Sequence, residues 1–184
     1  MVGLRKSTRQ RGFTLIEAMI SLVILSFGVL SLAAVYSQGL FYASTTQIDY
    51  IAEKKAEAAI ETIFTARDTQ LLSWPQINNT NGTTTGVFLP GPQPMLAPGL
   101  DGLIGTSDDD TSTPDSVIIG PGADNILGTS DDARINLNPW MTRTIQFQDV
   151  SGEPNLRQVT VTINYTVANK QRSFVLVCYI SAFA

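Results

Sequence analysis

The feature that most constrains this chain is a run without any charged residue, from Ala18 to Tyr36. The run holds 19 residues. At ~1.5 Å per helical residue it comes close to spanning the ~30 Å hydrocarbon core of a bilayer. Four basic residues and no acid precede it within residues 1–12: Arg5, Lys6, Arg9 and Arg11. Because basic flanks stay in the cytoplasm, the pattern predicts a single-pass segment with a cytoplasmic amino terminus.

One acid, Glu17, stands directly before this run. An ionised carboxylate at mid-span costs roughly 2.5–3.5 kcal/mol on insertion scales, and a plain membrane anchor would not need one. Glu17 lies near the end of the span, where it would interact with the positive end of the helix dipole for only ~0.3–1 kcal/mol. Glu17 therefore has either this small interfacial role or a specific function.

The composition excludes several classes of function. Beyond residue 12 the chain has 8 basic and 16 acidic residues, which argues against non-specific nucleic-acid binding. The absence of histidine excludes His-based acid–base catalysis and His-ligated metals. The single cysteine, Cys178, excludes an intramolecular disulfide. Because Cys178 lies in the apolar run FVLVCYI, we interpret it as a small core residue rather than a reactive thiol.

A single long helix is predicted after the leader, because no proline occurs from Phe13 to Leu72. Residues 13–36 are its transmembrane part, and residues 37–74 are its amphipathic part, which Trp74-Pro75 is expected to end. Apolar residues recur in the second part at helical spacing: Ile48, Ala52, Ala56, Ala59, Ile60, Ile63 and Phe64. Acids share another face, predicted to be solvated: Asp49, Glu53, Glu57 and Glu61.

The remaining chain divides into a loop-rich region and a strand region. Residues 75–140 are rich in Gly, Pro, Asn, Thr and Asp, which is typical of loops and turns. Within residues 141–184, the segment Arg143–Val150 alternates, and a second run places five apolar residues on one face: Val159, Val161, Ile163, Tyr165 and Val167. A turn at residues 168–171 then precedes SFVLVCYI. The fold class is therefore α+β, with an antiparallel meander against the amphipathic helix.

Three interpretations compete for residues 1–36. A plain anchor is the first, and a Sec signal peptide with a cleavage site at Ser31-Leu32-Ala33 is the second. The third rests on GFTLIE, Gly12–Glu17, in which a glycine follows basic residues and an acid follows four residues after a phenylalanine. This hexapeptide resembles the cleavage motif of type IV pilins and of the related secretion pseudopilins.

The resemblance implies a series of assignments. A prepilin peptidase at the inner membrane would remove leader 1–12 by cutting between Gly12 and Phe13, and would then N-methylate Phe13. Glu17 would neutralise the Phe13 amine of a neighbouring subunit. The implied fold is the type IV pilin fold, a long helix packed on a C-terminal antiparallel sheet. The implied partners are other pilin subunits and the inner-membrane assembly platform, without enzymatic activity. The implied location is the inner membrane, then an extracellular pilus.

The segment after GFTLIE resembles the PilV group of minor pilins more than the major pilins, which usually carry a proline where this chain has Ala34. A minor pilin is therefore the preferred interpretation. A minor pseudopilin of a type II secretion system remains open, since it shares the anchor and the peptidase. A membrane-anchored hydrolase is poorly supported, because no nucleophile–base pair is evident.

A second motif is an internal repeat. GLDGLIGTSDDD, Gly99–Asp110, recurs 23 residues later as GADNILGTSDDA, Gly122–Ala133. Calcium binds carboxylate and carbonyl oxygens in glycine-rich loops, and each copy could supply three carboxylates: Asp101, Asp108 and Asp109, then Asp124, Asp131 and Asp132. The apolar pair in each copy is expected to anchor its loop to the domain. The alternatives are a solvated acidic loop and a calcium-dependent adhesin displayed at a pilus tip.

Overall fold

A computed structural model describes residues 12–80, 85–167 and 169–183. The chain divides into two compact units, Met1–Thr45 and Thr46–Ala184. One helix, α1 (Leu15–Asp68), contributes residues to both units. An antiparallel sheet follows it in the chain, which confirms the predicted α+β class.

The described part of the first unit is mostly an apolar helix, and no other described part of the chain packs against it. Residues 12–43 are all exposed, and an 18-residue window has a mean hydropathy of 2.5, so α1 is long and apolar enough to cross a membrane. Its serine hydroxyls donate to carbonyls one turn back: Ser21 to Glu17 at 2.8 Å, Ser26 to Leu22 at 2.7 Å and Ser31 to Phe27 at 2.8 Å. These bonds satisfy hydroxyl donors that would find no water partner in hydrocarbon.

The helix ends earlier than predicted. Helical structure stops at Asp68 rather than at Trp74-Pro75, which lies in a short 3-10 turn (Trp74–Gln76). Gln70 has a left-handed φ of 58°, and the Leu72 N–H donates to the Ala66 carbonyl at 3.1 Å. The chain leaves the helix through this turn, which uses neither proline nor glycine and therefore has no strong sequence signal.

The core of the second unit lies between α1 and the sheet. The helix contributes mainly small residues, all at most 1% exposed: Ala52, Ala56, Ala59, Ile63 and Ala66. Alanines allow the sheet to approach the helix backbone closely, and their spacing confirms the predicted apolar face. The acidic face, predicted to be solvated, is only partly exposed at Asp49. Its carboxylate accepts from the Tyr165 hydroxyl at 2.7 Å and from Arg172 at 2.9 and 3.1 Å.

The main sheet has the strand order β1-β6-β7-β8, formed by Gln93–Pro94, Met141–Val150, Glu153–Val167 and Lys170–Ser181. All neighbouring strands are antiparallel, so the predicted meander is confirmed. The five predicted apolar residues of β7 are buried together against the helix. Strand β8 is an edge strand with Val175, Val177 and Tyr179 exposed and Cys178 half-buried.

The loop-rich region contains two hairpins that sequence reasoning missed. Strands β2 (Leu96–Ala97) and β3 (Asp110–Pro114) form one pair, and β4 (Ser116–Gly120) and β5 (Ala133–Asn136) form the other. Each hairpin carries one copy of the Asp/Gly repeat at its tip. The ladder pairs next to the tips, Ala97↔Asp110 and Gly120↔Ala133, are also 23 positions apart, so the sequence repeat is a structural repeat.

Candidate functional site

The amino-terminal site begins immediately before α1. Gly12, Phe13 and Thr14 precede the helix, and Phe13 is 82% exposed. A Cβ on Gly12 would meet no atom within 4 Å, so nothing in the described chain covers the predicted cleavage point. Glu17 lies in the first turn of α1 and is exposed. The basic residues Arg5, Lys6, Arg9 and Arg11 lie outside the described residues.

Thr14 is a residue of this site that the sequence analysis missed. Its hydroxyl oxygen accepts from the Glu17 backbone N–H at 3.3 Å, and its carbonyl accepts from the Ala18 N–H at 3.2 Å. Thr14 therefore caps the helix that carries Glu17. The signal was present in the sequence, because Thr14-Leu15-Ile16-Glu17 has the spacing of a capping box. The cap fixes where the helix begins and hence which turn presents the Glu17 side chain.

The second candidate site comprises the two loops at the hairpin tips, called here loop 1 (Gly99–Asp110) and loop 2 (Gly122–Ala133). In loop 1 the Asp108 carboxylate accepts from the Asp101 N–H at 3.4 Å and from the Thr106 hydroxyl at 2.7 Å. In loop 2 Asp131 repeats both bonds, at 3.2 and 2.7 Å, to the equivalent groups. Each of these hydroxyl bonds lowers the pKa of the carboxyl that accepts it.

The other predicted ligands also bind their own loop backbone. The first acid of each loop accepts from an N–H two residues later, at 2.8 Å in both Asp101 and Asp124. The third predicted ligand of each loop accepts from an N–H four residues earlier, at 2.9 Å for Asp109 and 2.7 Å for Asp132. Within the described ranges, no three acidic or cysteine side chains gather closely enough to form a metal-holding group. Calcium at either loop would thus rely partly on backbone and hydroxyl oxygens.

The loops differ in how they contact the domain. In loop 1 Leu103 is 3% exposed and belongs to the core, as predicted for an anchoring residue. Its equivalent in loop 2, Ile126, is 60% exposed, and the neighbouring Leu127 is also exposed. The prediction that each apolar pair anchors its loop is therefore confirmed for Leu103 and wrong for loop 2. Both loops are hairpin tips, but only loop 1 inserts an apolar residue into the core formed by the described residues.

Asp109 of loop 1 and Asp132 of loop 2 also differ in their surroundings. Burial raises the pKa of Asp109, while bonds from Gly105 and Thr106 and the attraction of Arg143 oppose that rise. The Arg143 side chain is buried, and none of its nitrogens has a hydrogen bond within the described residues. Burial lowers the pKa of Arg143, while nearby Asp115 and Asp109 favour its charged form. Loop 1 is therefore coupled electrostatically to the core.

In loop 2 the buried carboxylate is less well compensated by positive charge. The Asp132 side chain is fully buried, and its Oδ1 has no hydrogen-bond partner in the described part of the chain. The Arg134 guanidinium reaches Asp132 Oδ2 only at 3.8 Å. In the same loop, Thr129 Oγ1 lies 2.7 Å from Asp131 Oδ1 and 3.0 Å from the Ile126 carbonyl oxygen. Loop 2 thus combines clustered oxygens with a buried carboxylate oxygen that lacks a donor.

The family comparison matches the amino-terminal site. The model described as the prokaryotic N-terminal methylation motif matches residues 7–33. This is the amino-terminal motif of a type IV pilin-like prepilin. No curated protein and no solved structure shows a significant match to the chain.

The prepilin motif covers Gly12, Phe13, Glu17 and the first part of α1, and it implies processing by a prepilin peptidase and assembly with other pilins. Proteins with this motif are structural subunits rather than catalysts. The single apolar amino-terminal helix fits a membrane-anchored prepilin. The match does not extend to loop 1, loop 2 or the sheet.

Proposed function

We propose that this prepilin is a minor type IV pilin that is cut between Gly12 and Phe13, methylated on Phe13, and assembled into or used to prime a pilus. The observation that carries the proposal is the methylation motif at the start of an apolar helix that is exposed throughout residues 12–43. Such a helix needs cover from lipid before assembly and from neighbouring helices afterwards. We place the amino terminus in the cytoplasm before assembly, following the basic leader.

Glu17 would select the position of the subunit in the filament. After cleavage, the new amine of Phe13 is positive, and a carboxylate surrounded by apolar helices is costly without a counter-charge. Pairing Glu17 with the amine of a neighbouring subunit satisfies both charges at once. Because Thr14 caps the first turn, Glu17 is presented from a defined position near the helix start.

Mass spectrometry of the native protein tests the processing step. We expect a chain that begins at Phe13 and carries one methyl group on its amine. A chain that begins at Ala34 would instead indicate cleavage of a Sec signal peptide and would overturn the proposal. A Gly12→Leu variant should keep its leader, since we expect the peptidase to require a residue without a side chain at the cut.

The rival within the same class is a minor pseudopilin of a type II secretion system. It has the same motif, and its helix would have the same exposed apolar surface. Deleting the gene separates the two: loss of surface pili with normal protein secretion supports the pilin. Loss of secretion with normal pili supports the pseudopilin.

We also propose that calcium binds the Asp/Gly loops, with loop 2 the better candidate. The support is Asp132 Oδ1, which has no hydrogen-bond partner among the described residues, in the same loop as the oxygen cluster around Thr129. A cation there would supply the charge that Arg143 supplies near Asp109 in loop 1.

Millimolar calcium should raise the melting temperature of the purified chain, and a chelator should lower it. The Asp132→Asn variant should lose this response, whereas Asp149→Asn, an acid outside the loops, should keep it. An unchanged melting temperature in calcium and in chelator would contradict calcium binding.

A calcium-dependent adhesin at the pilus tip is the remaining alternative, with the loops as its binding part. Deleting residues 99–133 would discriminate it from a purely structural role. Lost adhesion with normal piliation supports the adhesin, whereas lost piliation supports a structural role.

A further inference from the structure

A cleft opens at one end of the main sheet, and its lining includes two rows of residues that face away from the core. It encloses about 500 Å³, within the roughly 300–1,000 Å³ typical of small-molecule sites. One row of its lining crosses three strands, because Thr142 pairs with Asn164 and Asn164 pairs with Ser173. A second row is formed by Thr166 and its pairing partner, Gln171.

One side of the cleft is an aromatic wall. Pro139 and Trp140 directly precede β6 and line the same space. Trp140 is partly buried and packs against the core. Its indole N–H donates to the Asn136 carbonyl at 2.6 Å, which fixes the ring and occupies its only donor. Trp140 therefore offers the cleft an apolar aromatic surface rather than a hydrogen bond.

Five of the polar lining residues are uncharged and available to a ligand. Within the described part of the chain, no hydrogen bond is formed by the side chains of Thr142, Asn164, Thr166, Gln171 and Ser173. Amides and hydroxyls both donate and accept, as ligand hydroxyls do. Arg172 is the one charged residue among the described residues of the lining, and its guanidinium is held by Asp49 at 2.9 and 3.1 Å. These residues therefore provide no free cation.

We propose that this cleft binds a neutral saccharide. A pyranose ring has apolar C–H faces and a rim of hydroxyls, so it needs an aromatic surface beside several neutral donors and acceptors. Trp140 with the two rows of amides and hydroxyls supplies this combination on three adjacent strands. An anionic ligand would need an unpaired cation to offset its desolvation, and the lining does not provide one. The inference goes beyond the proposed function, because it holds for a pilus or a secretion subunit.

The test uses the full chain in a detergent without a sugar head group. Saturation-transfer NMR would be recorded with the methyl glycosides of glucose, galactose, mannose and N-acetylglucosamine, and with sialyllactose as the anionic probe. We expect at least one neutral glycoside to bind, and Asn164→Ala to weaken its affinity about tenfold through loss of hydrogen bonds. Asn164 is exposed, so this variant should remain folded.

The matched control is Gln146→Ala, which removes an exposed amide from the same sheet face outside the cleft. It should bind like the wild type. The proposal is overturned if no neutral glycoside binds the wild type or if sialyllactose binds better than the neutral probes. Equal affinity of Asn164→Ala and wild type would also overturn it.

Discussion

Asp131 closes loop 2 as Asp108 closes loop 1. Each carboxylate accepts from the backbone N–H seven residues earlier, at 3.2 and 3.4 Å, and from a threonine hydroxyl at 2.7 Å. Identical local bonds show that the loop conformation is encoded within the repeat itself. The surroundings of the two loops then differ, since Leu103 of loop 1 is buried in the core and Ile126 of loop 2 is exposed. Equivalent substitutions in the two loops are therefore expected to have different consequences.

Leu103→Ala and Ile126→Ala form a matched pair. Leu103 is buried, so its truncation should lower the free energy of unfolding by about 2–5 kcal/mol. Ile126 is exposed, so its truncation should change that free energy by less than about 0.5 kcal/mol. Urea denaturation of both variants measures the difference. Equal losses would mean that loop 2 is also packed.

Gly99 and Gly122 should resist substitution by alanine. A Cβ at either position would collide with the backbone oxygen and the carboxylate of the closing aspartate, Asp108 or Asp131. We expect Gly99→Ala to lower the free energy of unfolding by about 1–3 kcal/mol, because its loop packs on the core. Gly120→Ala is the control, since a Cβ there meets nothing within 4 Å. A control as damaging as Gly99→Ala would refute the steric explanation.

Glu17→Ala should separate membrane insertion from assembly. The variant removes a charge from an apolar helix, so it should remain a stable membrane protein. It should be absent from sheared pili, because the Phe13 amine of a neighbouring subunit would lack its counter-charge. Glu61→Ala, which removes an exposed acid elsewhere on α1, should assemble normally. Wild-type amounts of Glu17→Ala in sheared pili would exclude this role.

Arg143→Met should make the stability of the domain more dependent on pH. Arg143 opposes the burial that raises the pKa of Asp109, so its removal raises that pKa further. A carboxyl with a raised folded-state pKa stabilises the fold below its unfolded pKa and loses this effect as pH rises through the folded value. The free energy of unfolding of Arg143→Met should therefore fall further below that of the wild type as pH rises from below 3.8, the ordinary pKa of an aspartate, towards neutrality.

Thermal melts across this pH range measure the effect of Arg143→Met. Adding Asp109→Asn should reduce the growth with pH of the stability difference from wild type, because one of the two carboxylates near Arg143 no longer titrates. A difference in stability between wild type and Arg143→Met that stays constant with pH would show that Arg143 acts only through packing.

Several elements could be predicted because their signals are local or periodic. The buried face of α1 follows from alanine and isoleucine spacing, and the buried face of β7 follows from alternation from Val159 to Val167. The end of α1 was predicted six residues late, because Gln70 takes a left-handed conformation without a glycine signal. The two hairpins were missed because their strands are only two to five residues long and lie among turn residues.

The sequence by itself determined the methylation motif, the uncharged span and the duplicated loop, since each is defined by neighbouring residues. Only the tertiary structure decided that Leu103 is buried while Ile126 is exposed. It also placed the buried Arg143 near Asp115 and Asp109 and aligned Thr142, Asn164 and Ser173 in one cleft. These outcomes depend on strand register and long-range packing, which bring together residues far apart in the chain.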